Sequence, residues 1–273
     1  MPVRALRFLR RMRGGAQAHL MEAGDGGHYV VKFTNNPQHR RILVNEWLAA
    51  RFLSYLQIRA PEAAAVDLTP EFLSDNPDIG IQLGSRRTPA PPGLHFGSRF
   101  PGDPSTLSVY DFLPDLLLPK VANIREFLGA LVFDKWMANS DSRQSVFFRA
   151  AAKREDEDDS RPAWIACMID HGFVFDGPNW GFPDAPLAGL YHRPAVYTGV
   201  AGWSDFEPWL ERVRAFPTAE ADTALRSIPR EWIAGDEDSA DALIERLYRR
   251  RTRVDRMIES LKSAKTTLFP NWR

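Results

Sequence analysis

Four ionisable residues stand where they could do phosphate chemistry. Lys32 closes the apolar run His28-Tyr29-Val30-Val31-Lys32, Glu46 follows in an amphipathic segment, and Asp141 and Asp170 each occupy a polar turn beside an apolar run. A lysine on an apolar sheet face needs an anion, because burying a charge without a partner is costly. Glu46 can supply that anion and hold the ammonium toward phosphate oxygens. The two aspartates, 29 residues apart and each at the mouth of a hairpin, can converge on one point. Phosphoryl transfer uses such a pair, one carboxylate near the attacking hydroxyl and one on a divalent cation bridging the phosphates. Upstream lies Gly14-Gly15-Ala16-Gln17, whose small residues let backbone N–H groups approach phosphate oxygens. Each feature alone has a plainer reading. The glycines make a turn, the lysine snorkels from a strand edge, and the aspartates cap loop backbone.

The elements that must position these groups follow from periodicity. Residues 18–23 and 28–33 flank Gly24-Asp25-Gly26-Gly27, which reads as a hairpin. A helix is expected over 38–56, with Leu43, Trp47 and Ala50 on one stripe, Val44, Leu48 and Phe52 beside it, and Glu46 next to that apolar side. Short strands are expected at 62–68 and 79–83. Residues 84–106 hold five prolines and four glycines in 23 positions, which predicts a connecting loop without regular structure. A helix is expected over 123–137, capped by Asn123 with Glu126 three positions on, and Lys135 is the one polar member of its apolar stripe. It ends at Asn139-Ser140-Asp141-Ser142, all turn formers. Strands at 145–149 and 164–169 then form a second hairpin with the acidic run 155–159 at its exposed tip. Ser204 with Glu207 opens a further helix, and a last long helix is expected over 239–262.

Composition sets the outer limits. The 273 residues carry 35 basic and 35 acidic side chains, a formal net charge of zero, so no global field draws in nucleic acid or an anionic membrane. No apolar run approaches the roughly 18 residues of a membrane span. Cys167 is the single cysteine, in an apolar run, so no internal disulfide forms and a cytoplasmic location is expected. The five arginines of residues 1–13 read as a lead-in to the fold rather than a transit peptide. No cysteine and histidine spacing suits zinc.

Taken in series, Gly14-Gly15-Ala16-Gln17, Val31-Lys32-Phe33, Asn45-Glu46, Asn139-Ser140-Asp141-Ser142-Arg143 and Ile169-Asp170-His171-Gly172 resemble the HipA-like kinases. These are bacterial Ser/Thr kinases distantly similar in fold to protein kinases and phosphatidylinositol kinases. The resemblance covers residues 10 to 180. It implies an α+β, bilobal, protein-kinase-like fold: a nucleotide-binding β lobe over 1–83, the loop 84–106, and a mainly helical catalytic lobe over 107–273. It implies ATP and Mg²⁺ as cofactors, with Gly14, Gly15, Ala16 and Gln17 as the phosphate loop. Lys32 becomes the phosphate lysine, Glu46 its partner, Asp141 with Asn139 the catalytic pair, and Asp170 the metal ligand. The sequence departs from the family at two places. Arg143 stands where a histidine is common, and Val146 where a metal-binding asparagine is common, leaving Gln144 as the nearest amide.

Three functions are therefore open. The first is an ATP/Mg²⁺-dependent kinase acting on a protein or small-molecule hydroxyl acceptor. The second is a nucleotide-binding pseudokinase acting as a regulatory partner. The third is a nucleic-acid-associated protein using Arg246, Arg249, Arg250, Arg251, Arg253 and Arg256. Interleaved Asp241, Glu245, Asp255 and Glu259 make that stretch a solvated, charge-paired helix face instead. Nucleic acid and membrane are not expected partners.

Overall fold

A computed structural model describes residues 1–152 and 161–273. The predicted hairpin forms the middle of a closed barrel. Strands β1 (Val3–Arg11), β2 (His19–Ala23) and β3 (His28–Lys32) run antiparallel in sequence. After helix α1 (Arg41–Tyr55) come β4 (Ala63–Leu68), the short helix α2 (Pro70–Asp75) and the ribbon β5 (Gly80–Leu83) and β6 (Arg86–Pro89). Strand β7 (Gly93–Arg99) then inserts between β3 and β4, and β4 closes the barrel against β1 in parallel.

Two expectations for this half are corrected. Residues 1–13 are not a lead-in but β1. The 84–106 stretch contains β6 and β7, so the chain leaves the barrel only after Arg99. One of its glycines serves packing here. Gly97 faces Val66 so closely that a Cβ would stand 2.5 Å from the valine methyl.

Period-two alternation sends Tyr29, Val31 and Phe33 into the barrel core with Met21, Val66 and Leu68. Lys32, between Val31 and Phe33, takes the opposite face, and it pairs in register with Phe96, which belongs to the larger core under α1. That core continues from α1 into the C-terminal half, which explains why α1 is buried on nearly every side.

Helix α3 (Glu126–Trp136) begins three residues later than expected, with no side-chain cap. Asn123 is engaged elsewhere, exchanging both amide bonds with the Ala166 backbone, and Glu126 accepts the Arg59 N–H at 2.6 Å. Strands β8 (Gln144–Ala152) and β9 (Arg161–Ile169) form the second hairpin, and its acidic tip lies outside the described residues. The expected helix at Ser204–Glu207 is a 3-10 turn over 203–206, and the α-helix α4 (Trp209–Arg214) starts after Pro208. Helices α5 (Thr218–Arg226) and α6 (Arg230–Ile233) follow. The expected long terminal helix is two, α7 (Glu237–Arg250) and α8 (Val254–Ala264), broken at 251–253. No helix among the described residues is long and apolar enough to cross a membrane. The result is a β-rich N-terminal half and a mainly helical C-terminal half of an α+β chain.

Candidate active site

Lys32 sits at the seam between the halves. Its ammonium donates to the Glu46 carboxylate on α1 and, at 2.8 Å, to Asp170 Oδ1 beyond β9. Burial alone would push the ammonium's pKa down. The two carboxylates outweigh that and hold it above its ordinary value, so Lys32 is charged. Burial raises Glu46, an effect partly offset by Lys32. Burial also works to raise Asp170, but Lys32 wins and its pKa falls below the usual carboxylate range.

Asp170 is the member that reaches solvent, its side chain 37% exposed. Its backbone adopts a left-handed φ of 56°, uncommon outside glycine. The second oxygen, Oδ2, accepts the Gln144 amide at 3.1 Å. Gln144 lies on the strand face that carries Val146 and Phe148, and Val146 packs with Ile165 and Cys167 in a small apolar core. The Val146 side chain is thus buried, and the Gln144 amide is the one that bonds Asp170.

The loop after α3 is built on a buried ion pair that sequence reasoning did not find. Asp134 is sequestered inside α3 and grips the Arg143 guanidinium with both oxygens. Arg143 also donates to the Ile169 carbonyl and to His171 Nδ1, which stitches the 139–143 loop to the Asp170 segment. His171 Nε2 lies 3.1 Å from the Met168 carbonyl, which assigns its proton to Nε2 and leaves Nδ1 to accept. Burial first, then Arg143, drives its pKa well below the ordinary value, in keeping with a neutral ring. Asn139 links the same pair to the loop, donating to Asp134 and accepting the Asp141 N–H at 3.1 Å. Asp141 stands exposed at the rim, with Oδ1 accepting the Ser142 N–H and its carbonyl accepting Gly189 N–H. Gly189 has a φ of 73°, and a Cβ there would lie 2.7 Å from the Asp134 Cβ. The structure therefore joins Lys32, Glu46, Asp170 and Gln144 directly, and ties Asn139 and Asp141 to them through Arg143.

Gly14 to Gln17 form the β1–β2 turn, with Gln17 N–H bonded to the Gly14 carbonyl. The Gln17 side chain exchanges two bonds with the Gln82 backbone on β5, so only the main chain of this turn is free for a ligand. Asn45 was legible only as part of a motif. Fully buried, it donates to the carbonyls of Gly172, Val174 and Gly177 and accepts Trp180 Nε1.

The donor set suits a hard cation. Asp170 and the Gln144 amide offer oxygen, and few donors suit magnesium, which keeps waters and shares itself with substrate phosphates. Among the described residues no group of three or more His, Cys, Asp or Glu could hold an ion by itself.

Two solved structures of the Golgi casein kinase resemble the chain, one of them with Mn/ADP bound. That one is 11% identical, covers 97% of this chain and 74% of its own, and has a TM-score of 0.47. The other is also 11% identical, covers 95% and 72%, and scores 0.47. No curated protein matches. The model of the HipA-like kinases matches residues 6–149, more than half of the 273-residue chain and the stretch that carries Lys32, Glu46, Asn139 and Asp141, and the chain belongs to that family.

Proposed function

We propose that the chain is an ATP- and Mg²⁺-dependent kinase that transfers the γ-phosphoryl group to a hydroxyl acceptor, a serine or threonine or a small molecule. The observation that carries this reading is Lys32, held between Glu46 and Asp170 at the seam. Its ammonium is charged, fixed and one-sided, which suits an α/β-phosphate. The main chain of Gly14 to Gln17 would cover the phosphates. Asp170, with Gln144, would hold magnesium, which when bound neutralises charge on the phosphate oxygens. Asp141 would accept the acceptor's hydroxyl proton as that oxygen bonds to the γ-phosphorus. The bond to the bridging oxygen breaks and its electron pair leaves with ADP. Asn139 fixes the backbone of Asp141, and a cytoplasmic site of action fits the buried, free Cys167.

The pseudokinase reading draws on Val146, whose burial removes one expected metal ligand. The nucleic-acid reading loses ground, because Arg250 is buried and Arg246 and Arg251 donate to backbone carbonyls.

Thermal shift with ATP and Mg²⁺, run beside ATP turnover, separates the first two. Binding with turnover is expected. Asp141→Asn should keep ATP affinity and lose about 10²–10⁴-fold in turnover, whereas Asp170→Asn should lose both. Binding without turnover in the wild type would establish the pseudokinase.

A further inference from the structure

A cavity of about 180 Å³ opens between the Asn139–Ser140 loop, the 183–188 segment and α7–α8. Four cationic side chains line it: Lys135, Arg250, Arg253 and Arg256. The carboxylates on its wall do not balance them. Asp134 is committed to Arg143, and Asp184 is shared by Arg250, at 2.5 Å, and Arg253, at 2.7 Å.

The cations differ in what they have left to give. Arg250 is structural, its donors spent on the Trp136, Phe182 and Lys135 carbonyls, Asp184 and Met257 Sδ. Lys135 is 4% exposed and donates to the carbonyls of Ala185, Pro186 and Ala188, which solvate its charge without cancelling it. Arg253 and Arg256 are exposed, and Arg253 uses only one nitrogen on Asp184. Burial draws the Lys135 pKa down to about 8, Arg250 adds to that, and Asp134 opposes it. At neutral pH the ammonium is therefore charged and short of an anion.

We propose that this cavity binds a phosphate monoester carried by the hydroxyl acceptor, so that the acceptor is a small, already phosphorylated compound. Two guanidinium groups with donors to spare match the oxygens of a phosphate dianion better than those of a carboxylate. The buried ammonium adds field from below. The cavity admits a phosphate and the few atoms that carry it. Its wall includes Asn139 and Ser140, the residues before Asp141, so the bound compound lies beside the loop that presents the proposed base. The inference rests on the kinase reading above.

The test is calorimetric titration of the full chain with inorganic phosphate at neutral pH and low salt, beside a titration with ATP. Wild type should bind phosphate. Arg253→Gln with Arg256→Gln, both exposed and safe for folding, should weaken it by about tenfold or more, with ATP affinity unchanged. Arg253→Lys with Arg256→Lys should keep most of the affinity. Lys32→Ala should weaken ATP and leave phosphate binding as it was. Absence of phosphate binding overturns the inference, as does binding that Lys32→Ala abolishes and the double arginine variant does not. ATP binding without phosphate binding removes this inference alone and leaves the kinase reading. Phosphate binding controlled by the two arginines, without ATP binding, removes the kinase reading and leaves the anion site.

Discussion

Two clusters of buried charge meet at the segment around Asp170, where Arg143 bonds the residues on either side of it, and they behave differently. Asp134 and Arg143 are closed off, with side chains 0% and 1% exposed, and every oxygen and most donors are answered by protein. Lys32, Glu46 and Asp170 use the same ion-pair chemistry, but Asp170 reaches solvent. A closed pair fixes geometry, and removing one partner strands the other. An open cluster can exchange a carboxylate for a ligand's oxygens at little loss. The difference between scaffold and site here is one partly solvated carboxylate.

That contrast can be broken by substitution. Arg143→Met should destabilise the fold by about 3–5 kcal/mol, since Asp134 is left charged and dry. Urea unfolding reads this, and a loss below about 1 kcal/mol would mean water reaches Asp134. Lys32→Met should cost less, about 1–3 kcal/mol, because Glu46 can take up a proton and Asp170 can turn to water. If the two variants lose equally, the open cluster is not open.

Acid titration sharpens the same contrast through histidines held neutral. His95, on β7 against Phe33 and the Thr34 N–H, is pushed down to about 4 by burial, against an ordinary value of 6.5. The unfolded chain then binds a proton that the folded one does not, so this stability is present above pH 6.5 and fades as pH falls toward 4. The slope from His95 is at most about 1.4 kcal/mol per pH unit. Glu46, raised by burial, acts with the opposite sign near its own titration. Subtracting the profile of His95→Gln isolates the histidine, and an unchanged profile would contradict its neutral burial. The smallest effect belongs to Gln144→Ala. Its stability change should stay within about 0.5 kcal/mol, while the Mg²⁺ concentration needed for turnover rises.

Much of the site was legible because its residues sit where local rules are strong. Lys32 shows as a lone charge at the end of an apolar strand, Asp170 as an acid at the end of another. Strand β1 was not legible, because register shifts between Ala5 and Arg7 and between Phe8 and Arg10 scramble its alternation. Strand β7 was hidden by Gly93 and Gly97, which read as loop residues; Gly97 answers to close packing against Val66 on β4, and Gly93 to a backbone φ of 119°. The α7–α8 break was masked by a run of arginines that fits either helix. Asp134 left a weak signal, an acid before Lys135 in an otherwise apolar helix. Its partner nine residues on is set by the turn at Asn139, which no periodicity reports.

Helix α1 holds both ends of one joint. Asn45 clamps three carbonyls of the segment after Asp170, and the next residue, Glu46, grips Lys32 of the barrel. The helix is thereby fastened to the C-terminal half by hydrogen bonds within a dry core, and to the barrel by the ion pair at the seam and by packing against Ala65 and Phe96. Phosphate oxygens arriving at Lys32 therefore meet an ammonium whose two carboxylates are both anchored from the C-terminal side, Glu46 through the Asn45 clamp on its own helix and Asp170 through the end of β9.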